Sequence, residues 1–177
     1  MRIISGKYKG KIISGFDIDG TRPTMDRVKE SLFAIIQNYL KDSICLDLFA
    51  GSGNLGIETL SNGSKKCVFV DNNIKAINTI KKNLNNIDEK YEILKGDFKH
   101  ILESLKGQKF DVIFLDPPYS DNLISIALEL INKFDLIASN GIIICEYEKE
   151  VFTSDYDVIK EKRYGSKNIR IYKNTYK

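Results

Sequence analysis

The chain has 177 residues, a length that fits one ordinary α/β domain. Hydrophobic residues make up 42% and charged residues 29%, which excludes a disordered or fibrous chain, and the net charge is only +3. The longest apolar runs are shorter than the ~20 residues of a membrane helix. The first residues lack the continuous apolar core of a signal peptide, so we expect a cytoplasmic protein.

The first forty residues predict an extension of a single domain that covers residues 1–177. Residues 2–14 read as a small β-hairpin, because the apolar runs IIS and KII flank Gly6 and Gly10. Residues 24–40 predict a helix with Thr24 as its N-cap, since apolar residues recur along one face. Residues 41–177 would then form the main sheet and its helices.

The central part of the chain alternates strand and helix patterns. Short runs rich in Ile, Val and Phe predict buried strands at 44–49, 66–71, 110–116 and 141–147, with a weaker one at 91–95. Apolar residues at three- and four-residue steps predict helices at 54–62, 73–86, 98–106 and 121–134. This alternation predicts a doubly wound, Rossmann-like α/β sheet that is mostly parallel, with helices on both faces.

The carboxyl-terminal residues break this alternation. Two β-like runs within 155–174, separated by Gly165, predict an antiparallel hairpin that closes the edge of the sheet. No linker, internal repeat or low-complexity segment divides the chain. We therefore expect one layered domain and, for this size, a monomer.

The cysteine and histidine residues argue against metal or hydrolase chemistry. Cys45, Cys67 and Cys145 each stand in an apolar run, where cysteine behaves as a small buried hydrophobic residue. The chain has no C-x-x-C pair and a single histidine, His100, in a lysine-rich segment typical of a protein surface. No metal is expected.

The first predicted strand runs directly into a glycine-rich turn. Gly51, Gly53 and Gly56 form a G-x-G-x-x-G pattern, and Asp71 ends the next strand twenty residues after Gly51. Such a turn lets a nucleotide-like ligand approach the amides at a helix N-terminus, while the second acidic residue can bind a ribose. Read literally, the pattern is a dinucleotide fingerprint. A P-loop is excluded, because no Lys-Ser or Lys-Thr follows the glycines.

Asp47 argues against a dinucleotide. Its carboxylate lies four residues before Gly51, where a pyrophosphate would meet a like charge at short range. A ligand with an ammonium and a sulfonium group, such as S-adenosylmethionine, would instead be attracted there.

The sequence D-L-F-A-G-S-G-N-L-G at 47–56 resembles the first motif of class I S-adenosylmethionine-dependent methyltransferases. The resemblance implies that Asp47 and the backbone from Gly51 to Gly53 hold the methionine part of the cofactor, and that Asp71 holds its ribose. It also implies that Asp97 and Phe98 face the adenine, and Phe49 and Asn72 are further candidates for cofactor binding.

The predicted strand at 110–116 ends in Asp116-Pro117-Pro118-Tyr119. The two prolines lack amide hydrogens and fix φ, so the Pro117 carbonyl can stand beside the Asp116 carboxylate as a second acceptor. Two acceptors suit an exocyclic amine, whose nitrogen they can turn toward a methyl donor. The sequence resembles the fourth motif of amino-directed methyltransferases, in which Asp116 orients the amine and can accept its proton, while Tyr119 stacks on the base.

Basic residues are concentrated at the two ends of the chain. Residues 1–30 carry seven basic and four acidic side chains, and residues 159–177 carry seven and one. If both ends fold onto one face, that face would attract a polyanion; a scatter of solvated lysines is the alternative. The candidates for phosphate contacts are Lys7, Lys9, Lys11, Arg22, Arg27, Arg163, Lys167 and Arg170.

The outer segments carry a more specific resemblance. The stretches 2–11 and 22–33 and the closing Tyr164-Gly165-Ser166-Lys167 resemble the bacterial 16S rRNA guanine-N2 methyltransferase family. Met25 departs from that pattern, since a hydroxyl residue is common there. The resemblance implies methyl transfer to guanine N2 of 16S rRNA, with the assembled small (30S) subunit as the partner and target.

Three other functions stay open on the residues alone. They are a DNA adenine-N6 or other amino-directed methyltransferase, a nicotinamide-dependent oxidoreductase and a non-catalytic RNA-binding module. The methyltransferase interpretation requires that Asp47 and Asp116 open into a single cleft, because ligands of doubly wound sheets bind outside the carboxyl ends of the strands.

Overall fold

Helices and strands alternate through a computed structural model that describes residues 1–15, 23–118 and 122–175, with side chains of the first helix described from residue 25. The helices are α1 (Pro23–Ile36), α2 (Asn54–Ser61), α3 (Ile74–Asn83), α4 (Phe98–Ser104) and α5 (Leu123–Lys133), with a 3-10 turn at Gln37–Tyr39. The strands are β1 (Ile44–Asp47), β2 (Lys66–Asp71), β3 (Lys90–Lys95), β4 (Phe110–Leu115), β5 (Ile137–Tyr147), β6 (Asp157–Tyr164) and β7 (Lys167–Lys173).

The seven strands form one sheet in the order β3-β2-β1-β4-β5-β7-β6. Strands β1 to β5 pair in parallel, whereas β7 pairs antiparallel with both β5 and β6. The predicted mostly parallel Rossmann-like sheet with an antiparallel carboxyl-terminal hairpin is therefore confirmed. The chain moves outward from β1 to β3 and then returns to β4 on the other side of β1. The carboxyl ends of β1 and β4 consequently flank the topological switch point, where ligands of such sheets bind.

Helices cover both faces of the sheet, as predicted. One apolar core joins α1, α2 and α3 to the sheet, and includes Phe69, Phe114 and Ile144. The other joins α4 and α5 to the opposite face. The three cysteines are buried in these cores, where burial raises the pKa of the Cys45 thiol to about 11. They are inert packing residues.

The amino-terminal segment forms the small hairpin that the sequence predicted. Its two arms pair antiparallel through a bridge between Arg2 and Ile12, with the Ile3 N–H donating to the Lys11 carbonyl and the Ile13 N–H to the Met1 carbonyl, each over 2.9 Å. The segment turns through residues 5–10 and packs Ile3 and Ile13 into the core of the first three helices. This packing stabilises the segment, because a short isolated hairpin is marginal in water.

Helix α1 begins earlier and ends earlier than expected. Pro23 is its first residue, a position that proline favours because the missing N–H needs no partner there. Thr24 thus lies inside the first turn and is not the N-cap. None of the helices in the described part of the chain is long and apolar enough to cross a membrane.

Candidate active site

Acidic side chains line one edge of the sheet, at the carboxyl ends of four neighbouring strands. The register aligns Asp47 of β1 with Phe69 and Phe114, whose side chains share one core. Asp71 and Asp116 follow those phenylalanines by two residues, so their side chains project from the same face of the sheet, closer to the carboxyl ends of the strands. The strand order and register thus place Asp47 and Asp116 at the same edge and on the same face of the sheet, as a shared cleft requires.

The glycine-rich turn is fixed by hydrogen bonds to Asp71. The Gly51 N–H donates to Asp71 Oδ2 over 2.9 Å, and the Asn73 N–H donates to Oδ1 over 2.9 Å. Gly53 begins α2 with a φ of 81°, a left-handed conformation that favours glycine. Gly56 has a different task, because a Cβ there would lie 2.3 Å from Phe69 Cε1. It allows α2 to pack closely on β2.

Asp47 stabilises the start of α2, directly after this turn, by a hydrogen bond. Its Oδ2 accepts the Gly56 N–H over 3.0 Å, and only 1% of the residue is exposed. Burial raises the pKa of Asp47 to about 7, and the charge of Asp71 contributes, although the Gly56 N–H acts in the opposite direction. A cationic group that enters the cleft would stabilise the ionised form of this carboxyl group.

The turn after β3 completes the same edge. The Phe98 ring lies 5.0 Å from the Phe49 ring, and the Gly96 N–H donates to the Asp71 carbonyl over 3.1 Å. Asp97 accepts the Lys99 N–H and so caps α4, while the neighbouring Asn72 is exposed. The structure thus brings together the predicted cofactor-binding residues of three successive strand ends: Asp47, Phe49, Gly51, Gly53, Asp71, Asn72, Asp97 and Phe98.

Asp116 leaves β4 partly buried, followed by a partly buried Pro117 and an exposed Pro118. Burial raises the pKa of Asp116 well above its usual range; the charge of Glu146 raises it further and Lys167 acts in the opposite direction. Tyr119 lies outside the described residues, so its predicted stacking role stays a prediction.

Glu146 is the acidic residue of this edge that the sequence analysis missed. It lies near the end of β5, next to Asp116 across the sheet, and its carboxylate pairs with Lys167 Nζ at 3.3 Å. A signal was present, because an apolar strand that ends in an acidic residue occurs at Asp47, Asp71 and Asp116 as well. The run IIICE repeats that pattern a fourth time.

A buried ion pair joins α1 and the amino-terminal segment to α2. It was not predicted from the sequence either. Lys29 Nζ lies 2.9 Å from Glu58 Oε1, with both side chains almost fully buried. Lys29 also donates to the Arg2 carbonyl and to Asn54 Oδ1, and Asn54 is the first residue of α2. The pair therefore connects the glycine-rich turn to the first thirty residues.

Two of the predicted phosphate-binding lysines do not lie beside the cleft. Lys7 pairs with Glu89 at 3.1 Å, and Lys11 donates to the Asn85 carbonyl. Glu89 directly precedes β3, so this cluster lies at the amino ends of the parallel strands, opposite the acidic edge. Lys9 is exposed on the same turn. Local ion pairing and the course of the amino-terminal segment account for the difference.

The remaining predicted basic residues divide into two groups. Arg27 is exposed on α1, one turn before Ser31, whose hydroxyl contacts that of Tyr164, and Arg163 is exposed beside Tyr164. Both lie on elements that flank the cleft, and Arg22 lies outside the described residues. Arg170 is not available to phosphates, because it pairs with Glu161 at 2.6 Å and lies against aromatic rings. Lys167 likewise faces Glu146.

In the described part of the chain no cluster of histidine, cysteine and acidic residues could hold a metal ion. His100 is exposed on α4 and makes none of the described contacts with the glycine-rich turn. The polar groups that the structure describes at this edge are carboxylates, backbone amides and the Asp-Pro-Pro segment.

A parallel sheet with a glycine-rich turn after β1 and an Asp-Pro-Pro segment after β4 is the arrangement of a Rossmann-like methyltransferase. The chain belongs to the family described as Conserved hypothetical protein 95, whose model matches residues 1–173. Relatives named as rRNA methyltransferases, similar over nearly the whole chain, confirm the resemblance to that family.

Two sequence relatives and one solved structure are similar to nearly the whole chain. YlbH of Bacillus subtilis is 38% identical over 98% of this chain and 98% of its own length. Ribosomal RNA small subunit methyltransferase D of Haemophilus influenzae is 37% identical over 98% of this chain and 94% of its own. The structure of yhhF from Escherichia coli superposes with a TM-score of 0.88 at 28% identity, covering 100% of this chain and 99% of that one.

Proposed function

We propose that this chain transfers a methyl group from S-adenosylmethionine to the exocyclic N2 of a guanine in 16S rRNA of the small ribosomal subunit. The observation that carries the proposal is the shared cleft of Asp47 and Asp116, at the carboxyl ends of adjacent strands and on one face of the sheet. One residue stands beside the glycine-rich turn and the other begins the segment suited to an amine. Donor and acceptor can therefore meet at the switch point.

The residues of the cleft fit S-adenosylmethionine better than a dinucleotide. Asp47 and Asp71 repel a pyrophosphate, whereas they attract an ammonium and a sulfonium group. Gly51 and Gly53 allow close approach of the ligand, Asp71 and Asn72 suit the ribose, and the Phe49 ring supplies an apolar contact. The cofactor supplies an electrophilic methyl group when bound.

The Asp-Pro-Pro segment suits the target amine. The Asp116 carboxyl group and the Pro117 carbonyl are acceptors for the two N–H bonds, so they orient the nitrogen and stabilise the positive charge that develops on it. Such a base must leave its helical stack to enter the cleft. Tyr119 would then stack on it, which is worth ~1–3 kcal/mol for base–aromatic contacts.

The small-subunit rRNA target rests on the relatives and on the position of exposed cations. The relatives named Ribosomal RNA small subunit methyltransferase D cover nearly the whole chain. Arg27 and Arg163 stand on α1 and on the β6–β7 hairpin, which meet beside the cleft through Ser31 and Tyr164. We propose that residues 1–177 act as one cytoplasmic, monomeric methyltransferase domain on the 30S particle.

Methyl transfer from labelled S-adenosylmethionine tests this function. Small subunits and naked 16S rRNA from cells lacking the protein are compared with duplex DNA, and the labelled nucleotide is identified by mass spectrometry. We expect N2-methylguanine in the rRNA. Preferential labelling of adenine in DNA would instead favour the alternative amino-directed methyltransferase, and binding of NAD without S-adenosylmethionine by calorimetry would contradict the cofactor assignment.

The variant Asp116→Ala tests the role of the cleft. Loss of the oriented acceptor should lower kcat by roughly 10²- to 10³-fold, while affinity for the particle stays unchanged. Asp88→Ala, an exposed aspartate at the opposite edge of the sheet, is the matched control and should retain full activity. Unchanged transfer in Asp116→Ala would remove this residue from the mechanism.

A further inference from the structure

Asp116 and Glu146 are neighbours across two parallel strands. The register pairs Leu115 of β4 with Cys145 of β5, so the next residue on each strand is Asp116 and Glu146. Adjacent strands lie about 4.8 Å apart, and aligned residues of a parallel pair project from the same face. Both side chains therefore leave the sheet toward α1, as Phe114 and Ile144 do two residues earlier.

Lys167 supplies the positive charge beside this pair. It is the first residue of β7, whose register pairs Glu146 with Ile169, and Lys167 lies on the same face as Ile169. Its Nζ stands 3.3 Å from Glu146 Oε1, and the two side chains are 43% and 14% exposed. The lysine thus contacts Glu146 directly and stands beside the carboxyl pair.

The charged groups that face Asp116 are Asp47 on β1, Glu146 on β5 and Lys167 on β7. Glu148 also faces Lys167, and the hydroxyls of Ser31 on α1 and Tyr164 on β6 lie above the hairpin. Negative charge exceeds positive charge among these groups, so the site favours retention of a proton. Burial and the charge of Glu146 raise the pKa of Asp116, which is consistent with a carboxyl pair that shares one proton.

We propose that Glu146 is a positioning residue for the transfer reaction, which shares a proton with Asp116 and receives it when Asp116 takes a proton from the substrate amine. The inference rests on the proposed function. As the N–C bond forms, the C–S bond breaks and its electron pair stays on sulfur. The methylated nitrogen then loses a proton to one Asp116 oxygen, and the N–H electron pair stays on nitrogen. The proton already on the other Asp116 oxygen passes to Glu146.

Lys167 keeps the receiving group ready in this arrangement. With its ammonium beside Glu146, the shared proton resides on Asp116 before the reaction, and Glu146 carries the negative charge. Asp116 can then offer one oxygen to the amine as an acceptor and still pass a proton on. This role replaces the phosphate contact that the sequence predicted for Lys167.

Carboxyl titration of the protein without substrate tests the pairing independently of activity. In protein labelled with ¹³C at its aspartate and glutamate carboxyls, the Asp116 and Glu146 resonances should respond to pH together. In Glu146→Gln, the Asp116 midpoint should fall by at least about one pH unit, because a neighbouring negative charge is lost. Independent titration of Asp116 at an ordinary midpoint in both proteins would overturn the proposal.

Steady-state kinetics then test the proton transfer. Glu146→Gln should lower kcat by roughly 10- to 100-fold with KM for the rRNA substrate within twofold, and Glu146→Asp should restore part of the loss. Lys167→Met should move the acid limb of the kcat profile to higher pH by about one unit. Glu129→Gln, an exposed carboxyl on α5, is the control with wild-type kinetics.

The two experiments separate the proposals. If the wild-type protein methylates no rRNA while its carboxyls titrate together, the proposed function fails and the pairing stands. If methylation is normal and Glu146→Gln has wild-type kcat, the relay fails and the proposed function stands. Should Glu146→Gln not fold, the wild-type titration and the Glu146→Asp kinetics still decide the question.

Discussion

Two clusters of buried charge contact helix α2, which follows the glycine-rich turn, and they are built differently. Glu58 is fully buried, and its oxygens accept the Ile4 and Ser5 N–H groups, the Ser5 hydroxyl and the Asn62 amide as well as Lys29. At the acidic edge, Asp47 is almost as deeply buried but accepts, among the residues that the structure describes, a single hydrogen bond, from Gly56. The Glu58 carboxylate is therefore fully paired, whereas the Asp47 carboxyl group has few partners among the described residues.

The difference reflects what each cluster does. A charge that only joins segments is most stable when neighbouring groups satisfy it, because an unpaired buried charge is costly. The carboxyls of the cleft instead retain capacity for a ligand, which can supply the missing positive charge and hydrogen bonds. A buried carboxyl group with few hydrogen-bond partners thus distinguishes the acidic edge from the Lys29–Glu58 cluster. Three sets of variants test that distinction.

The largest effect is expected where the satisfied cluster is broken. Lys29→Met leaves Glu58 charged and buried without its partner, so the free energy of unfolding should fall by roughly 3–5 kcal/mol. Urea unfolding followed by circular dichroism measures this. The double variant Lys29→Met/Glu58→Gln should recover a substantial part of the loss, because a neutral amide can still accept the N–H groups of residues 4 and 5.

Arg27→Met is the matched control, because Arg27 lies on the exposed side of α1, two residues before Lys29. It removes a cation of the same helix without uncovering a buried charge and should change stability by less than about 0.5 kcal/mol. Equal losses in Lys29→Met and Arg27→Met would contradict the structural role of the ion pair.

A smaller and pH-dependent effect is expected at Asp47. Its pKa is about 7 in the folded chain against 3.8 for an ordinary aspartate, so the unfolded chain releases the proton first as pH rises. The stabilisation from the protonated group is complete below about pH 4 and is lost as pH rises through about 7. Asp47→Asn should remove roughly 2–4 kcal/mol of this pH dependence.

Urea unfolding at pH 4.5 and 7.5 measures the change for wild type and variant. Asp97→Asn is the control, because Asp97 is exposed and asparagine can cap α4 in its place. A pH dependence in Asp47→Asn equal to that of the wild type would show that Asp47 is ionised throughout the range.

The smallest effect is expected on RNA binding, where two exposed cations at opposite edges of the sheet are compared. Arg163→Ala, on the hairpin beside the cleft, should weaken binding to the small subunit by about two- to fivefold and reduce its salt dependence. Lys7→Ala, paired with Glu89 at the far edge, should leave binding unchanged. Filter binding over a range of salt concentrations measures both, and an equal loss for Lys7→Ala would mean that RNA reaches the far edge.

Much of the sheet could be predicted because its central strands β1, β2 and β4 are buried on both faces. Such strands are short continuous apolar runs bounded by Gly, Asp or Asn, and their ends were placed within a few residues of the structure. The glycine-rich turn and the Asp-Pro-Pro segment are equally local patterns. Their shared cleft followed from the general rule for doubly wound sheets, without knowledge of side-chain contacts.

The missed features all depend on pairing between distant segments. Glu146 becomes a neighbour of Asp116 only through the β4–β5 register, which a bulge between Phe110 and Val112 shifts. Lys29 resembles any lysine on a helix until Glu58 is known to face it. The charge pattern of residues 1–30 likewise could not show that the path of the segment carries Lys7 to the far edge.

The position of β7 between β5 and β6 has a consequence for biosynthesis. The ribosome makes the chain from its amino end, so the segments bearing Asp47, Asp116 and Glu146 emerge before the strand that carries Lys167. Until β7 inserts beside β5, a nascent chain would expose the acidic edge without the ammonium group of Lys167. Capture of RNA by a partly made enzyme is thereby disfavoured, because the carboxylates repel phosphates.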